Sequence, residues 1–115
     1  VKDCQGLILG TGLVDLYSHS GEPGFEERET LTTLVAAAAA GGFTRVNLLP
    51  DTVPPVDNLA VVSKLFQQEA RSREQGATTN YQLPITNYQL PQLQFWGALT
   101  TGAQGQQMTE LAELA

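Results

Sequence analysis

Apolar positions along the chain alternate between short runs and longer helix-like stretches. Residues 12–17 are mostly apolar and begin at a glycine, which predicts a buried strand. A turn rich in glycine and proline follows over residues 18–25, and helix formers then extend over residues 26–40. Acidic residues at the start of that stretch favour a helix N-terminus, and Gly41-Gly42 marks its end.

A second strand and helix follow directly. Residues 44–49 read as a strand that Pro50 stops, and the prolines of residues 51–56 predict a loop. Asp57 or Asn58 can cap a helix over residues 59–75, with Gly76 just beyond its end. The predicted buried stripe of this helix consists of Val61, Val62, Leu65, Phe66 and Ala70.

The third unit closes the chain. Residues 93–99 predict a strand in which Phe95 and Trp96 are packing residues, residues 100–105 a turn, and residues 106–115 a helix. Three successive strand-helix units predict an α/β fold with parallel strands joined by right-handed crossovers. An α/β barrel and a doubly wound sheet both fit this pattern.

Residues 79–91 break the alternation. The segment 79–84 (TNYQLP) recurs as 86–91, seven residues later. Two copies are too few for a solenoid, so we expect an exposed, extended polar insertion.

Composition narrows the class of protein. The chain has 115 residues and a net charge of −6, which suits one globular domain and disfavours nucleic acid or an anionic membrane as partner. Its longest apolar run, residues 34–40, is far shorter than the roughly 18 residues of a membrane span. A single cysteine, Cys4, cannot form an intrachain disulfide, and no secretory signal pattern is visible, so we expect the cytoplasm.

The candidate chemistry lies on the first predicted strand. Asp15, Tyr17 and His19 alternate there, so strict alternation would place them on one face near the C-terminal end of the strand, where α/β proteins bind ligands. Two alternating histidines could bind a metal, but here tyrosine occupies one position. Alternatively, His19 is a polar strand-end residue hydrogen-bonded to the turn after it. With one histidine and one cysteine, the chain is not expected to hold a complete zinc site.

Residues 12–24 (GLVDLYSHSGEPG) resemble the N-terminal barrel segment of dihydroorotases, members of the amidohydrolase superfamily. The resemblance continues through the segments Glu29-Thr30, 37–44, 49–52 and 98–102, and near the end at Gly105 and residues 110–112. It implies a (β/α)8 TIM barrel, of which residues 1–115 form the N-terminal part, about the first three β/α units.

The resemblance also implies an activity and its site residues. Dihydroorotases interconvert dihydroorotate and N-carbamoyl-aspartate in pyrimidine biosynthesis, using a zinc-activated water. The family's His-x-His metal pair falls on Tyr17 and His19, which leaves His19 as the metal ligand here. Its carboxylate-gripping arginine falls on Gly21 and is lost, and its substrate-binding asparagine falls on Asp51. The remaining ligands of the family are expected beyond Ala115.

These substitutions predict a catalytically impaired dihydroorotase-like hydrolase with a small-molecule substrate. The alternative is a non-catalytic scaffold or binding partner, either a homo-oligomer or paired with an active homologue. Two further hypotheses stay open: a self-contained small α/β module, and a hydrolase of neutral cyclic amides or ureides.

Overall fold

Strands and helices alternate along the chain as predicted. The computed structural model describes residues 5–78 and 90–114. Its elements in chain order are β1 (Leu13–Ser18), α1 (Leu31–Ala40), β2 (Phe43–Leu48), α2 (Leu59–Thr78), β3 (Gln92–Phe95), a 3-10 turn (Thr101–Ala103) and α3 (Leu111–Leu114).

The three strands form one parallel sheet in the order β1-β2-β3. Such parallel neighbours need a crossover between them, which α1 and α2 provide. The predicted α/β class with parallel strands is therefore confirmed.

The core lies between this sheet and α1. Alternate residues of the strands point toward the helix, because successive strand side chains lie on opposite faces. The buried cluster consists of Leu31, Leu34, Val35, Val46, Leu48 and Leu93. A smaller cluster of Val56, Val61 and Leu65 joins α2 to the loop after β2, with Val62 and Phe95 against it. The predicted stripe of α2 is correct for Val61 and Leu65, but Phe66 and Ala70 are exposed.

Helix α1 begins later than predicted, at Leu31 instead of Glu26. Thr30 caps it: its hydroxyl accepts from the Thr33 amide, and the Thr33 hydroxyl accepts from the Thr30 amide. Because these side chains satisfy the first free amides of the helix, the N-terminus is set at Thr30. The acidic residues lie in the preceding turn, where Glu26 accepts from the Gly24 amide.

Helix α2 begins as predicted, with the Asn58 side chain accepting from the Val61 amide at 3.1 Å. Its end is different, because the helix continues through Gly76 to Thr78. Glycine inside a helix costs only about 1 kcal/mol relative to alanine, so its presence does not by itself end a helix.

The third unit is shorter than predicted. Strand β3 ends at Phe95, and the helix predicted over residues 106–115 is reduced to the single turn Leu111–Leu114. An antiparallel bridge between Thr100 and Met108 holds the intervening residues in a loop instead. Within this loop the Thr101 amide donates to the Gln107 carbonyl, and Thr101–Ala103 form the 3-10 turn.

Most of the predicted insertion, residues 79–89, lies outside the described residues, as does Cys4. Of its last two residues, Leu90 is half-buried against the core and Pro91 is buried. Within the described residues, no helix is long and apolar enough to cross a membrane.

Candidate functional site

Strand β1 carries an extra residue at the candidate site. Asp15 pairs with Val46 and Ser18 with Leu48, so three steps along β1 match two steps along β2. Such a β-bulge interrupts the alternation of side chains. The Asp15 side chain hydrogen-bonds to that of Ser18, and Asp15 and His19 line the same groove between β1 and α1.

The Asp15 carboxylate organises the bulge. One oxygen accepts from the Tyr17 amide at 2.9 Å, and the other accepts from the Ser18 hydroxyl at 2.8 Å. Both bonds favour the ionised carboxylate, the backbone bond more strongly, and they lower the pKa of Asp15 below its ordinary value. Asp15 therefore stays charged at neutral pH and acts on the backbone of β1.

His19 follows β1 directly, and its imidazole reaches the loop after β2. Its Nδ1 lies 2.5 Å from an Oδ of Asp51, so the two side chains are paired across the C-terminal ends of adjacent strands. The alternative in which His19 bonds to the turn after it is wrong, since its partner lies 32 residues away. With Nδ1–H donating to the carboxylate, Nε2 keeps a lone pair that can accept a proton or bind a metal ion.

Tyr17 stands beside this pair. Its ring meets the His19 ring edge-on, with centroids 6.1 Å apart. Tyr17 is 72% exposed, and the side chain of His19 is 67% exposed. The structure thus brings Tyr17, His19 and Asp51 together.

Gly21 lies where the turn closes on itself. A Cβ atom at this position would lie 2.5 Å from the Glu29 carbonyl oxygen, 2.8 Å from the Phe25 carbonyl oxygen and 2.9 Å from the Glu29 amide nitrogen. All three are backbone atoms, so a side chain at residue 21 requires the turn itself to move. A side chain at residue 21, where the resemblance implies an arginine in the family, is therefore sterically blocked by the backbone of the turn.

Glu22 connects this turn to both long helices. Its carboxylate accepts from the Leu31 amide at the start of α1 and from the Gln68 side chain in α2, each at 2.8 Å. A negative charge at a helix N-terminus is favourable, so Glu22 stabilises α1 there. The sequence motif around Glu22 indicated a turn, but nothing in it pointed to Gln68, 46 residues away.

A groove of about 270 Å³ between β1 and α1 leads to His19 from the helix side. Asp15 and Glu29 contribute polar groups to its lining, and Leu34 and Phe43 contribute apolar ones.

These residues do not fit the paired-histidine zinc site that the resemblance implies. Within the part of the chain that the structure describes, no three His, Cys, Asp or Glu side chains form a group that could hold a metal ion. A zinc ion wants about three or four such ligands. His19 can supply Nε2 as a ligand, because its Nδ1 is hydrogen-bonded to the Asp51 carboxylate.

Parallel strands, helical crossovers and polar side chains at the carboxyl ends of β1 and β2 define an α/β protein with its candidate site at that sheet edge. Within this class, the chain belongs to the dihydro-orotase-like family, whose sequence profile matches residues 6–112.

Curated relatives agree with this assignment. A "probable dihydroorotase-like protein" of Synechocystis is 41% identical over 117 aligned residues, covering 96% of the chain and 26% of that relative. The dihydroorotase of Caldanaerobacter subterraneus subsp. tengcongensis is 39% identical, covering 99% of the chain and 23% of the enzyme. The dihydroorotase of Pelotomaculum thermopropionicum is 36% identical with the same coverage. The chain thus spans about a quarter of the length of these relatives.

Proposed function

We propose that residues 1–115 form the first three β/α units of a dihydroorotase-like (β/α)8 barrel. Strand β1 supports this placement, because Leu13, Val14 and Leu16 are each at least half exposed. Parallel strands are normally covered on both faces, so apolar side chains on both sides of β1 call for further packing. Additional barrel units in a longer polypeptide would supply it, which agrees with the length of the curated relatives.

We further propose a hydrolase of the dihydroorotase type with impaired chemistry. The observation that carries this proposal is the His19–Asp51 pair, in which a carboxylate takes one nitrogen of the single histidine. Tyr17 replaces the second histidine of the resembled metal pair, and a phenol must lose a proton to ligate well. Zinc in such a site activates water for attack on a cyclic amide, so loss of a zinc ligand weakens the activation of that water.

Substrate binding is proposed to be weakened as well. Dihydroorotate carries a carboxylate, and arginine binds such a group through paired, charge-assisted hydrogen bonds. Residue 21 offers no side chain, while Asp51 adds a negative charge at the same strand ends. Both changes disfavour an anionic small-molecule substrate.

The alternative proposal is a non-catalytic scaffold that pairs with an active homologue or with itself in the cytoplasm. The exposed apolar surface of β1 favours it, because such a surface suits a subunit contact as well as an intramolecular one.

The decisive experiment measures zinc per chain and dihydroorotate turnover in the purified full-length protein after extensive dialysis. The Caldanaerobacter dihydroorotase serves as a reference under the same conditions. We expect substoichiometric zinc and turnover far below the reference, and we expect Tyr17→His to raise the zinc content. A full zinc complement with turnover like that of the reference would refute the impaired chemistry.

The isolated 115-residue chain tests the barrel placement separately. We expect it to self-associate or to unfold with a broad urea transition, because the open side of β1 lacks its cover. A monomeric chain with a sharp two-state transition would favour a self-contained α/β module instead.

A further inference from the structure

The peptide unit between Leu16 and Tyr17 stands outside the regular ladder of the sheet. It lies within the bulge of β1, between the paired positions Asp15 and Ser18. The residues on either side of this peptide are exposed, so its amide and carbonyl can bond to water or to side chains instead of to β2. The hydrogen-bond partners of the Leu16 carbonyl and the Tyr17 amide therefore determine the orientation of the peptide plane.

Side chains satisfy both polar groups of this single peptide unit. The Tyr17 amide donates to a carboxylate oxygen of Asp15 at 2.9 Å. The Leu16 carbonyl accepts from the indole Nε1–H of Trp96 at 3.0 Å. Trp96 lies 80 residues further along the chain and extends from the end of β3, across β2, to β1.

The position of Trp96 is set by its backbone as well as by its side chain. Its own amide donates to the Leu48 carbonyl at 2.8 Å, which ties its backbone to β2. The side chain is rigid, and it remains 49% exposed, so burial alone does not explain its position. Trp96 was predicted to be a packing residue of the third strand, but it is half exposed, and its hydrogen bond to Leu16 is the feature to explain.

We propose that Asp15 and Trp96 are positioning residues that clamp the Leu16–Tyr17 peptide and thereby orient Tyr17 and His19. The orientation of that peptide sets where the Tyr17 side chain leaves the strand, and the next residues carry the effect to His19. Bulges commonly re-aim side chains beside functional sites, which is the role assigned here. The clamp does not depend on whether the site retains turnover, since it acts on the direction of the two rings.

The test uses hydrogen exchange in the full-length protein, with fragmentation that resolves the Tyr17 amide. Asp15→Ala removes the acceptor, and Trp96→Phe removes the indole donor while it keeps an aromatic ring. We expect Tyr17 amide exchange to accelerate about tenfold in the first variant and about threefold in the second. Asp15→Asn retains an acceptor oxygen and should bring the exchange rate back toward wild type.

A second readout separates positioning from general stability. Deuterium exchange at the imidazole C2–H of His19, at fixed pH, should change by about twofold or more in Asp15→Ala and Trp96→Phe. Phe66→Leu is the matched control, because Phe66 is an exposed aromatic that contacts Phe95 and does not touch the clamp. We expect it to leave both readouts unchanged.

Two outcomes would overturn the proposal. One is a Tyr17 amide whose exchange is unaffected by both clamp variants. The other is an equal acceleration across all of β1 and β2, which would mean that the variants merely loosen the sheet. Loss of dihydroorotate turnover plays no part in either outcome, so failure of the clamp and failure of the proposed activity remain distinguishable.

Discussion

Replacing Gly21 by alanine should destabilise the protein through steric conflict alone. The φ angle of Gly21 lies outside the left-handed region, so alanine meets no intrinsic backbone penalty there. The added methyl group, however, would lie within 3.0 Å of three backbone atoms of Phe25 and Glu29. Side-chain rotation cannot relieve such contacts, because none of those atoms belongs to a side chain.

The size of the effect follows from what must move. Overpacking costs roughly 1–3 kcal/mol when backbone has to shift. The same movement weakens the hydrogen bond from the Phe25 amide to the Gly21 carbonyl, now 2.6 Å, at about 1 kcal/mol. We therefore expect a loss of about 2–4 kcal/mol in the free energy of unfolding, or about 30- to 700-fold in the equilibrium.

Urea unfolding of the full-length protein measures this loss. With a slope of about 2 kcal/mol per molar urea, the midpoint should fall by about 1 M or more. Gly10→Ala is the control, because its Cβ would meet no atom within 4 Å and its φ is also unrestricted. It should leave the midpoint unchanged or raise it slightly. Equal midpoints for Gly21→Ala and the control would refute the steric argument.

The same closure predicts the behaviour of Gly21→Arg. An arginine there must displace the turn before its guanidinium can reach a substrate carboxylate. Restoring this residue alone should therefore fail to restore dihydroorotate binding, as measured by calorimetric titration. If Gly21→Arg binds dihydroorotate and keeps the urea midpoint of the wild type, the turn can accommodate a side chain at residue 21 at little cost, which contradicts this prediction.

Three further predictions concern the scaffold. Thr30→Ala removes the cap of α1 and should cost about 1 kcal/mol in urea unfolding, whereas an unchanged midpoint would mean that the cap is dispensable. Leu48 is 1% exposed, so Leu48→Ala leaves a cavity in the core and should lower the free energy of unfolding by about 2–5 kcal/mol. A loss under 1 kcal/mol would contradict the assignment of Leu48 to the core. The pKa of Asp15 is lowered by the Tyr17 amide and the Ser18 hydroxyl, so its stabilising effect is present above its ordinary pKa of 3.8 and lost as pH falls through the lowered pKa. Asp15→Asn should therefore flatten the acid limb of the midpoint measured against pH, and an identical limb would contradict this assignment.

Local sequence signals located the repeating units well. Apolar runs predicted the three strands to within a few residues, because burial on a parallel sheet demands such runs whatever the remainder of the fold. Asn58 was among the predicted caps of α2, since a cap acts within three residues of itself. The predicted start of α1 at Glu26 is wrong, because the acidic residues that are typical of a first helical turn lie before the helix here, whereas Thr30 caps it.

The residues of the candidate site were predicted from the resemblance of the sequence to dihydroorotases. Tyr17, His19, Gly21 and Asp51 stand at positions marked by the resemblance, and the structure brings the first two and Asp51 together. Their contacts were not predictable in the same way. The pairing of His19 with Asp51 depends on the distance between the ends of two adjacent strands, which no local pattern encodes.

By itself, then, the sequence determined the class of fold, the order of its units and the positions at which the resemblance to dihydroorotases predicts a site. Only the tertiary structure decided the bulge in β1, the closure around Gly21 and the reach of Trp96 to Leu16. The physical reason is the range of the interactions involved. Helix caps and apolar periodicity act within a few residues, whereas register shifts and bonds between strands depend on how distant segments meet in the folded sheet.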